Sequence, residues 1–244
     1  MNRAIGLAVM RAIQEAKRGS AERRVIALGG ARELVPLLAK ELREGGDSTA
    51  VSEMYRPDAA AFVWIGRPDE DALRTASLAR IPIVGVTEGE RLPYVRDTNL
   101  VEISPGRGLP VGEIAAALAG VLGTAGPGLA ARLPVLRPAV VDELINATAR
   151  RNALVGIATW VPGIDLPILT LNQLRLVFGI AIAGGRALDA GVLPELIGVA
   201  GAAYGWRRVA RALEGLPVPA VVVRSGVAFA GTLAVGTAVR RRLA

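Results

Sequence analysis

The sequence of 244 residues contains no cysteine and no histidine. The absence of cysteine excludes disulfides, thiolate nucleophiles and thiolate metal ligands, and the absence of histidine excludes imidazole ligands and a histidine general base. Acid–base chemistry by carboxylates is the main catalytic class left open. We therefore predict that the chain is not an enzyme, and we expect no cofactor, no metal site and no catalytic residue.

Lysine and aromatic residues are also scarce. Lys17 and Lys40 are the only lysines among 29 basic residues, and aromatic residues make up 4% of the chain. Nucleic-acid-binding surfaces usually combine clustered basic side chains with aromatic residues on which bases stack. The composition therefore argues against a nucleic-acid partner.

Apolar residues are abundant, and positive charge is unevenly placed. The hydrophobic fraction is 52%, the mean hydropathy is +0.41 and the net charge is +7. Residues 138–244 hold 11 arginines and 6 acids, whereas residues 1–137 hold 18 basic and 16 acidic groups. An apolar segment with a positive excess is typical of the cytoplasmic face of an anionic membrane.

The first half of the chain alternates apolar strand patterns with single helices. After an amphipathic helix at 2–18, strands are predicted at 24–28, 49–54, 60–65, 81–86 and 100–103, and helices at 31–43, 68–78 and 111–122. Strands that are apolar throughout indicate a sheet covered on both faces. We predict a three-layer α/β domain with a mostly parallel sheet over residues 1–123.

The second half changes character after a segment rich in glycine and proline. Residues 124–137 are predicted to be an interdomain linker. Beyond it, helices are predicted at 140–161, 170–184, 194–213 and 219–242, divided by Pro/Gly turns. Residues 138–244 are therefore expected to form an all-α domain, so that the fold class is α/β followed by all-α.

The order and spacing of elements in the first domain resemble an Era-like G domain with parts removed. Residues 25–42 stand where the first strand, phosphate loop and first helix would lie, but the phosphate-loop motif G-x-x-x-x-G-K-[ST] is missing. Counting from Gly29, its last three positions hold Leu34, Val35 and Pro36. Residues 86–89, Val-Thr-Glu-Gly, replace the base-reading Asn-Lys-x-Asp. The resemblance implies a degenerate P-loop GTPase-like fold that has lost its nucleotide signatures.

Residues 140–242 resemble the YcjF-like, GTPase-associated bacterial domain family. The likeness rests on the apolar run 150–186 with its polar pair Asn172-Gln173, and on the sequence Gly-Trp-Arg-Arg-Val-Ala-Arg at 205–211. That family follows the G domain of some Era-like GTPases and also forms the C-terminal part of certain inner-membrane proteins. We single out Asn172, Gln173, Arg207 and Arg211 as candidate interaction residues. The structural alternatives are interhelical hydrogen bonds for the two amides and a solvated or lipid-facing helix end for the arginines.

The last predicted helix has the length of a membrane span. Residues 220–239 contain one charge, Arg224, and three arginines follow at 240–242. Small residues recur at every fourth position, at Gly226, Ala230, Ala234 and Ala238, and we expect this stripe to face another helix of the domain. A buried helix of a soluble bundle is the alternative.

These features predict a bacterial protein associated with the cytoplasmic face of the inner membrane. In this hypothesis the GTPase-like domain is a non-catalytic scaffold or interaction module for the helical domain. The expected partner is the membrane or another anionic lipid surface, beside a protein partner that the sequence does not identify, and self-association is compatible with the pattern. The alternative is a nucleotide-dependent switch or NTPase in the cytoplasm, with a divergent site near Gly29, Gly30 and Glu88.

Overall fold

The computed structural model describes residues 3–104, 106–158, 165–186 and 220–243, and the chain divides into two compact units. The α/β unit is Ala21–Val140, and the helical unit combines Met1–Ser20 with Val141–Ala244. The described helices and strands are α1 (Arg3–Ser20), β1 (Ile26–Gly30), α2 (Leu34–Arg43), β2 (Val51–Ser52), β3 (Ala61–Ile65), α3 (Glu70–Leu78), β4 (Ile83–Thr87), β5 (Leu100–Glu102), α4 (Val111–Leu122), α5 (Gly126–Arg132), α6 (Arg137–Ala158), α7 (Asp165–Ala183) and α8 (Ala220–Leu243).

The α/β unit is built on a parallel sheet of five strands in the order β2-β1-β3-β4-β5. Ile26 pairs with Val51 on one side and with Ala61 on the other, which places β1 inside the sheet. The predicted parallel sheet is confirmed, and the strands predicted at 24–28 and 81–86 belong to the same sheet. The order 2-1-3-4-5 is that of a doubly wound fold: β2 is added on one side of β1, and β3, β4 and β5 are added on the other side.

Helices cover both faces of this sheet. Because crossovers between parallel strands are right-handed, the reversal at β1 places α2 and α3 on opposite faces. The face carrying Phe62 and Trp64 packs against Leu73 and Ala76 of α3. On the other face α2 and α4 contact each other and the strands. The strands are buried on both sides, which is why they are apolar at nearly every position.

Two helices of the α/β unit begin a few residues later than predicted. Helix α3 starts after Asp69, whose carboxylate accepts the Ala72 amide at 3.1 Å as an N-cap. Helix α2 begins at Leu34 because the preceding residues form a tight turn, in which the Ala31 carbonyl accepts the amides of Leu34 and Val35 at 3.0 Å.

Residues 124–137, predicted as a linker, form packed helical structure. They contain α5 and two short 3-10 turns, and the side chains of Leu129, Leu133 and Leu136 are fully buried. The Arg132 guanidinium donates to the Asp47 carboxylate at 2.9 Å, and the Asp47 amide donates back to the Arg132 carbonyl at 2.8 Å. The glycine and proline residues of this segment therefore belong to a compact, packed turn of the α/β unit and not to an extended linker.

The helical unit joins α1 to helices that follow the α/β unit in sequence. Helix α1 packs against α7, and Arg175 donates two hydrogen bonds to the Glu15 carboxylate at 2.8 and 2.9 Å. The predicted helix at 2–18 is thus present, although it packs in the helical unit and the prediction had grouped it with the α/β domain. The helix predicted at 194–213 lies outside the described residues.

The small-residue stripe of α8 does not face another described helix. Gly226, Ala230, Ala234 and Ala238 are all exposed, so no described helix meets the expectation that they pack inward. The buried face of α8 carries Thr232, Gly236 and Val239, roughly on the opposite side of the helix. A Cβ atom at Gly236 would lie 2.7 Å from Ile145, so the close helix approach occurs at this glycine.

Candidate functional site

A cluster of uncharged polar side chains lies inside the helical unit, where α6, α7 and α8 meet. Asn172 of α7 donates from Nδ2 to Oδ1 of Asn152 on α6 at 2.7 Å. Asn152 in turn donates from Nδ2 to the Thr232 hydroxyl of α8 at 2.9 Å. Gln173 donates from Nε2 to the same hydroxyl at 3.0 Å. We call these four residues the amide cluster.

Close helix packing brings the members of the amide cluster together. About two turns away, a Cβ atom at Gly179 of α7 would lie 3.2 Å from Leu144 of α6. Asn152, Asn172 and Thr232 are almost fully buried, and Gln173 is half-buried. Buried amides in an apolar bundle are stable only when they are hydrogen-bonded, so these contacts hold the three helices in one register.

The hydroxyl group at the centre of the cluster makes all of its hydrogen bonds, whereas one amide oxygen at the edge makes none with a described residue. The Thr232 hydroxyl accepts from two amides and donates to the Ala228 carbonyl at 2.7 Å. Gln173 Oε1 is buried and has no hydrogen-bond partner among the described residues. Because no member titrates near neutral pH, the cluster can position helices or hydrogen-bond another group, but it cannot act as a general acid or base.

The structure therefore brings together two of the four residues chosen from the sequence. Asn172 and Gln173 lie in the cluster, in the interhelical role that was the structural alternative for them. Arg207 and Arg211 lie outside the described residues. Asn152 was missed, although it follows Val141, Ile145 and Thr148 at helical spacing and thus continues the buried face of α6.

The turn after β1, where a phosphate loop would lie, is closed by backbone packing. Gly30 has φ +122°, and a Cβ atom there would lie 1.9 Å from the Ile65 carbonyl oxygen. That carbonyl accepts the Ala31 amide at 2.8 Å. The amides of Leu34 and Val35 are bonded within the turn, and Pro36 has no amide hydrogen. Few amides remain that could cradle a phosphate here.

The carboxylates beyond β4 do not form a metal site. Glu88 and Glu90 are exposed, and the buried Thr87 hydroxyl donates to the Glu90 carbonyl at 2.8 Å, which fixes the loop backbone. Within the described ranges no three acidic side chains are grouped closely enough to hold a metal ion.

Arginines gather at the end of the helical unit where α8 terminates. Arg240 donates to the Asp142 carboxylate of α6, and Arg186 donates to the Arg242 carbonyl at 2.9 Å. The positive charges of Arg240, Arg241 and Arg242 also oppose the negative end of the α8 dipole. These contacts define a basic end of the bundle.

Among the described residues, one helical stretch is long and apolar enough to cross a membrane, and it is Val111–Arg132. It comprises α4 and α5 and is mostly buried, with α4 in contact with β3, β4 and β5, as the core helix of a soluble protein would be. A shorter apolar stretch, Leu171–Ala183, lies in α7. Comparison of the chain with protein-family models, with curated proteins and with solved structures found no match.

Proposed function

We propose that the chain is a bacterial, non-enzymatic protein associated with the cytoplasmic face of the inner membrane. In this proposal the α/β unit is a GTPase-like scaffold without nucleotide chemistry, and the helical unit carries the membrane contact. The proposal includes both an integral membrane protein and a tightly bound peripheral membrane protein.

The exposed face of α8 is the observation that carries the proposal. Residues 225–239 contain no charged side chain; Gly226, Ala230, Ala234 and Ala238 are exposed on the outer face, and Phe229, which lies nearer the packed side, is 37% exposed. This stretch rises about 22 Å along the helix axis. A solvent-facing helix surface of that length normally carries charged residues, so an apolar medium fits this face better than water does.

Charge placement supports the same assignment. The uncharged stretch of α8 ends in Arg240, Arg241 and Arg242, and the sequence of residues 138–244 has a net positive charge. Arginines beside an apolar segment favour the cytoplasmic side, where anionic lipids attract them. Arg240 and Arg186 are held by contacts within the helical unit, which keeps this basic end ordered.

The closed turn after β1 supports a scaffold role for the α/β unit. A nucleotide-dependent switch, the alternative function, needs amides and a lysine directed at phosphate groups. At this turn the Ala31 amide is already bonded to Ile65, and a side chain cannot replace Gly30 without a clash against the β3 backbone. Isothermal titration with GTP and ATP analogues and Mg²⁺ tests the point, and micromolar binding would favour the switch.

Fractionation of bacterial cells that produce the full chain tests the membrane assignment. We expect the protein in the membrane pellet and retained there after a high-salt wash, because apolar contact with lipid is not screened by salt. Phe229→Glu should move a large part of the protein to the soluble fraction. Leu37→Glu, which changes an exposed apolar side chain of the α/β unit, is the matched control and should leave the distribution unchanged.

Full release of the intact wild-type chain without detergent, as a folded and monodisperse protein, would contradict membrane association. Equal release of the Phe229→Glu and Leu37→Glu variants would show that the exposed face of α8 is not the contact.

A further inference from the structure

Helix α7 ends in a capped turn that fixes the position of Arg186. The Arg186 amide donates to the Ala181 carbonyl at 2.9 Å. The Gly185 amide donates to the Ile182 carbonyl at 2.8 Å, and Gly185 itself has φ +74°. These two bonds, with a glycine in the left-handed conformation, form a Schellman motif. The backbone at Arg186 is therefore determined by the end of α7 itself.

The side chain of Arg186 reaches the last turn of α8. Its Nη2 donates to the Arg242 carbonyl at 2.9 Å, which uses one of the five N–H donors of the guanidinium group. In the same turn of α8, the Arg240 side chain is bonded to the Asp142 carboxylate of α6. The basic end is thus held by contacts among three helices, and the Arg186 guanidinium stays beside the terminus of α8.

The basic end carries more positive charge than a helix terminus requires. A helix C-terminus is stabilised by a cation in its last turn and by donors to its last carbonyls, and Arg240 and Arg186 supply both. Arg241 and Arg242 are exposed in addition. In the described part of the chain, Asp142 is the one acid bonded to these four arginines, which leaves a net charge of +3. This excess charge needs another explanation.

The position of Arg241 relates this charge to the outer face of α8. Arg241 follows Ala238 by three residues and Ala234 by seven, which are the spacings of one helix face. Between Gly226 and Arg241 the helix rises about 22 Å. The exposed, uncharged face of α8 therefore ends in arginines on one side. Hydrocarbon followed by phosphate groups is the matching order in a leaflet of a bilayer.

We propose that the basic end binds the phosphate group of an anionic phospholipid through Arg186, Arg241 and Arg242. Planar guanidinium groups form paired hydrogen bonds with phosphate oxygens, and a phosphate placed among them offsets the mutual repulsion of their charges. The outer face of α8 then contacts the acyl chains of the same leaflet. This inference rests on the proposed function, and it adds the class of lipid that the helical unit recognises and the residues that recognise it.

A titration of the full chain with lipid in neutral detergent micelles tests the site, and it suits an integral and a peripheral protein alike. Thermal unfolding in dodecyl maltoside is followed at 222 nm while phosphatidylglycerol is added. A ligand that binds only the folded state raises the unfolding temperature with its concentration, so the titration gives an apparent Kd. Phosphatidylcholine, whose headgroup has no net charge, provides the neutral comparison, and inorganic phosphate provides the soluble one.

We expect phosphatidylglycerol to stabilise the wild type, and phosphatidylcholine and inorganic phosphate to have little effect. Loss of one arginine charge next to a phospholipid headgroup weakens binding about fivefold. Arg186→Gln should therefore raise the apparent Kd for phosphatidylglycerol about fivefold, and Arg241→Gln combined with Arg242→Gln about 30-fold. The unfolding curve of each variant without lipid shows whether it is folded.

A second pair of exposed arginines provides the matched control. Arg150→Gln combined with Arg151→Gln removes the same charge from α6. These residues lie eight or nine positions beyond Asp142, a rise of about 12 Å along the helix, which exceeds the Debye length at 0.1 M salt. The control pair should change the apparent Kd for phosphatidylglycerol less than twofold.

The possible failures can be told apart. If the control pair weakens binding as much as the pair on α8, the charge of the whole unit attracts lipid and the basic end is not a site. Equal stabilisation by phosphatidylcholine, or none by phosphatidylglycerol, also overturns this inference. Saturation by inorganic phosphate at the same concentration would assign the site to a soluble phosphate. Each of these results leaves membrane association standing if the wild type stays in the membrane pellet, whereas its full release without detergent overturns the proposed function.

Discussion

The two units keep their buried polar groups satisfied in different ways. In the α/β unit the buried side chains of Thr87 and Asn99 each donate to a backbone carbonyl, at 2.8 and 3.3 Å. In the helical unit the buried amides bond mainly to other side chains on neighbouring helices. Strand pairing bonds the backbone groups of the sheet to one another, whereas packed helices have no such bonds between them and can slide unless side chains specify their alignment. The amide cluster therefore controls the register of the three helices, whereas Thr87 and Asn99 bond to nearby backbone carbonyls of the α/β unit.

The largest effect is expected in the α/β unit, at its most constrained backbone position. Gly30→Ala places a Cβ atom 1.9 Å from the Ile65 carbonyl oxygen and requires φ +122°, so we expect a loss of about 3 kcal/mol or more in the free energy of unfolding. Urea denaturation measures it. Gly120→Ala in α4, where no atom lies within 4 Å of the added Cβ, is the control and should be neutral or stabilising. Equal stability of the two variants would show that the turn after β1 is free to rearrange.

The next effect is expected in the amide cluster. Asn152→Ala leaves the Asn172 amide without its acceptor and removes one donor to Thr232, and should cost about 2–3 kcal/mol. Replacing Asn152, Asn172 and Gln173 by Leu together with Thr232→Val leaves no orphaned amide and should cost less than the single change. Peptide-resolved hydrogen exchange of the helical unit measures both. A quadruple variant that is less stable than Asn152→Ala would overturn the register role in favour of a requirement for the polar groups themselves.

Two glycines of α8 provide a smaller test of which face packs. Gly236→Leu brings a large side chain against Ile145 and should destabilise the helical unit by about 1–3 kcal/mol. Gly226→Leu adds the same side chain at an exposed position with no atom within 4 Å and should be neutral, or stabilising through helix propensity. Thermal unfolding followed at 222 nm compares the two. The opposite ranking would restore the small-residue stripe as the packed face.

The smallest effect concerns the ion pair that fixes α5 on the α/β unit. Hydrogen bonds from Thr49 and from Arg132 lower the pKa of Asp47 to about 2, from its usual 3.8. A depressed carboxyl pKa stabilises the fold above the unfolded-state pKa, and this stability is lost as the pH falls from about 4 to about 2. Because the Asp47 side chain is more than a third exposed, solvent screening should hold the effect of Asp47→Asn to about 1 kcal/mol or less at pH 7.

Urea midpoints of the wild type and Asp47→Asn should therefore differ at pH 7, begin to approach each other below about pH 4 and converge only as the pH falls to about 2. Asp58→Asn is the comparison, since Asp58 is also paired with an arginine, Arg56, but on the open surface, and it should change little. If the difference in urea midpoint between the wild type and Asp47→Asn does not change with pH, the hydrogen-bond geometry of Asp47 contributes the stability and its charge does not.

The sequence predicted the elements whose signals are local. The strands of the α/β unit were recognisable because burial on both faces makes them apolar throughout, and the helix predicted at 68–78 is present as α3, with Asp69 as its N-cap. The pair Asn172-Gln173 was recognisable because polar residues interrupt an apolar run. Their partners Asn152 and Thr232 were not, since a polar residue on a helix usually faces solvent, and only the packing of three helices shows otherwise.

Two departures from the predicted pattern share a physical cause, which is that one residue type serves several roles. Pro127 and Pro134 were interpreted as linker residues, yet proline also suits the first turn of a helix, which is where both lie. The small residues from Gly226 to Ala238 were interpreted as a packing stripe, yet small residues on an exposed face cost little. Burial on the other side of α8 is determined by Gly236 and Thr232, through contacts with residues distant in sequence.

The discontinuity of the helical unit has a consequence during synthesis of the chain. Glu15 of α1 and its partner Arg175 of α7 are separated by 160 residues, with the whole α/β unit between them. At a bacterial elongation rate of about 5–20 residues per second, α1 leaves the ribosome roughly 8–30 s before α7 exists. The α/β unit can fold within this interval, whereas the buried face of α1 must wait, exposed to chaperones, to the nascent chain and to any nearby bilayer. Assembly of α1 with α7 is thus delayed until the whole α/β unit between them has been made.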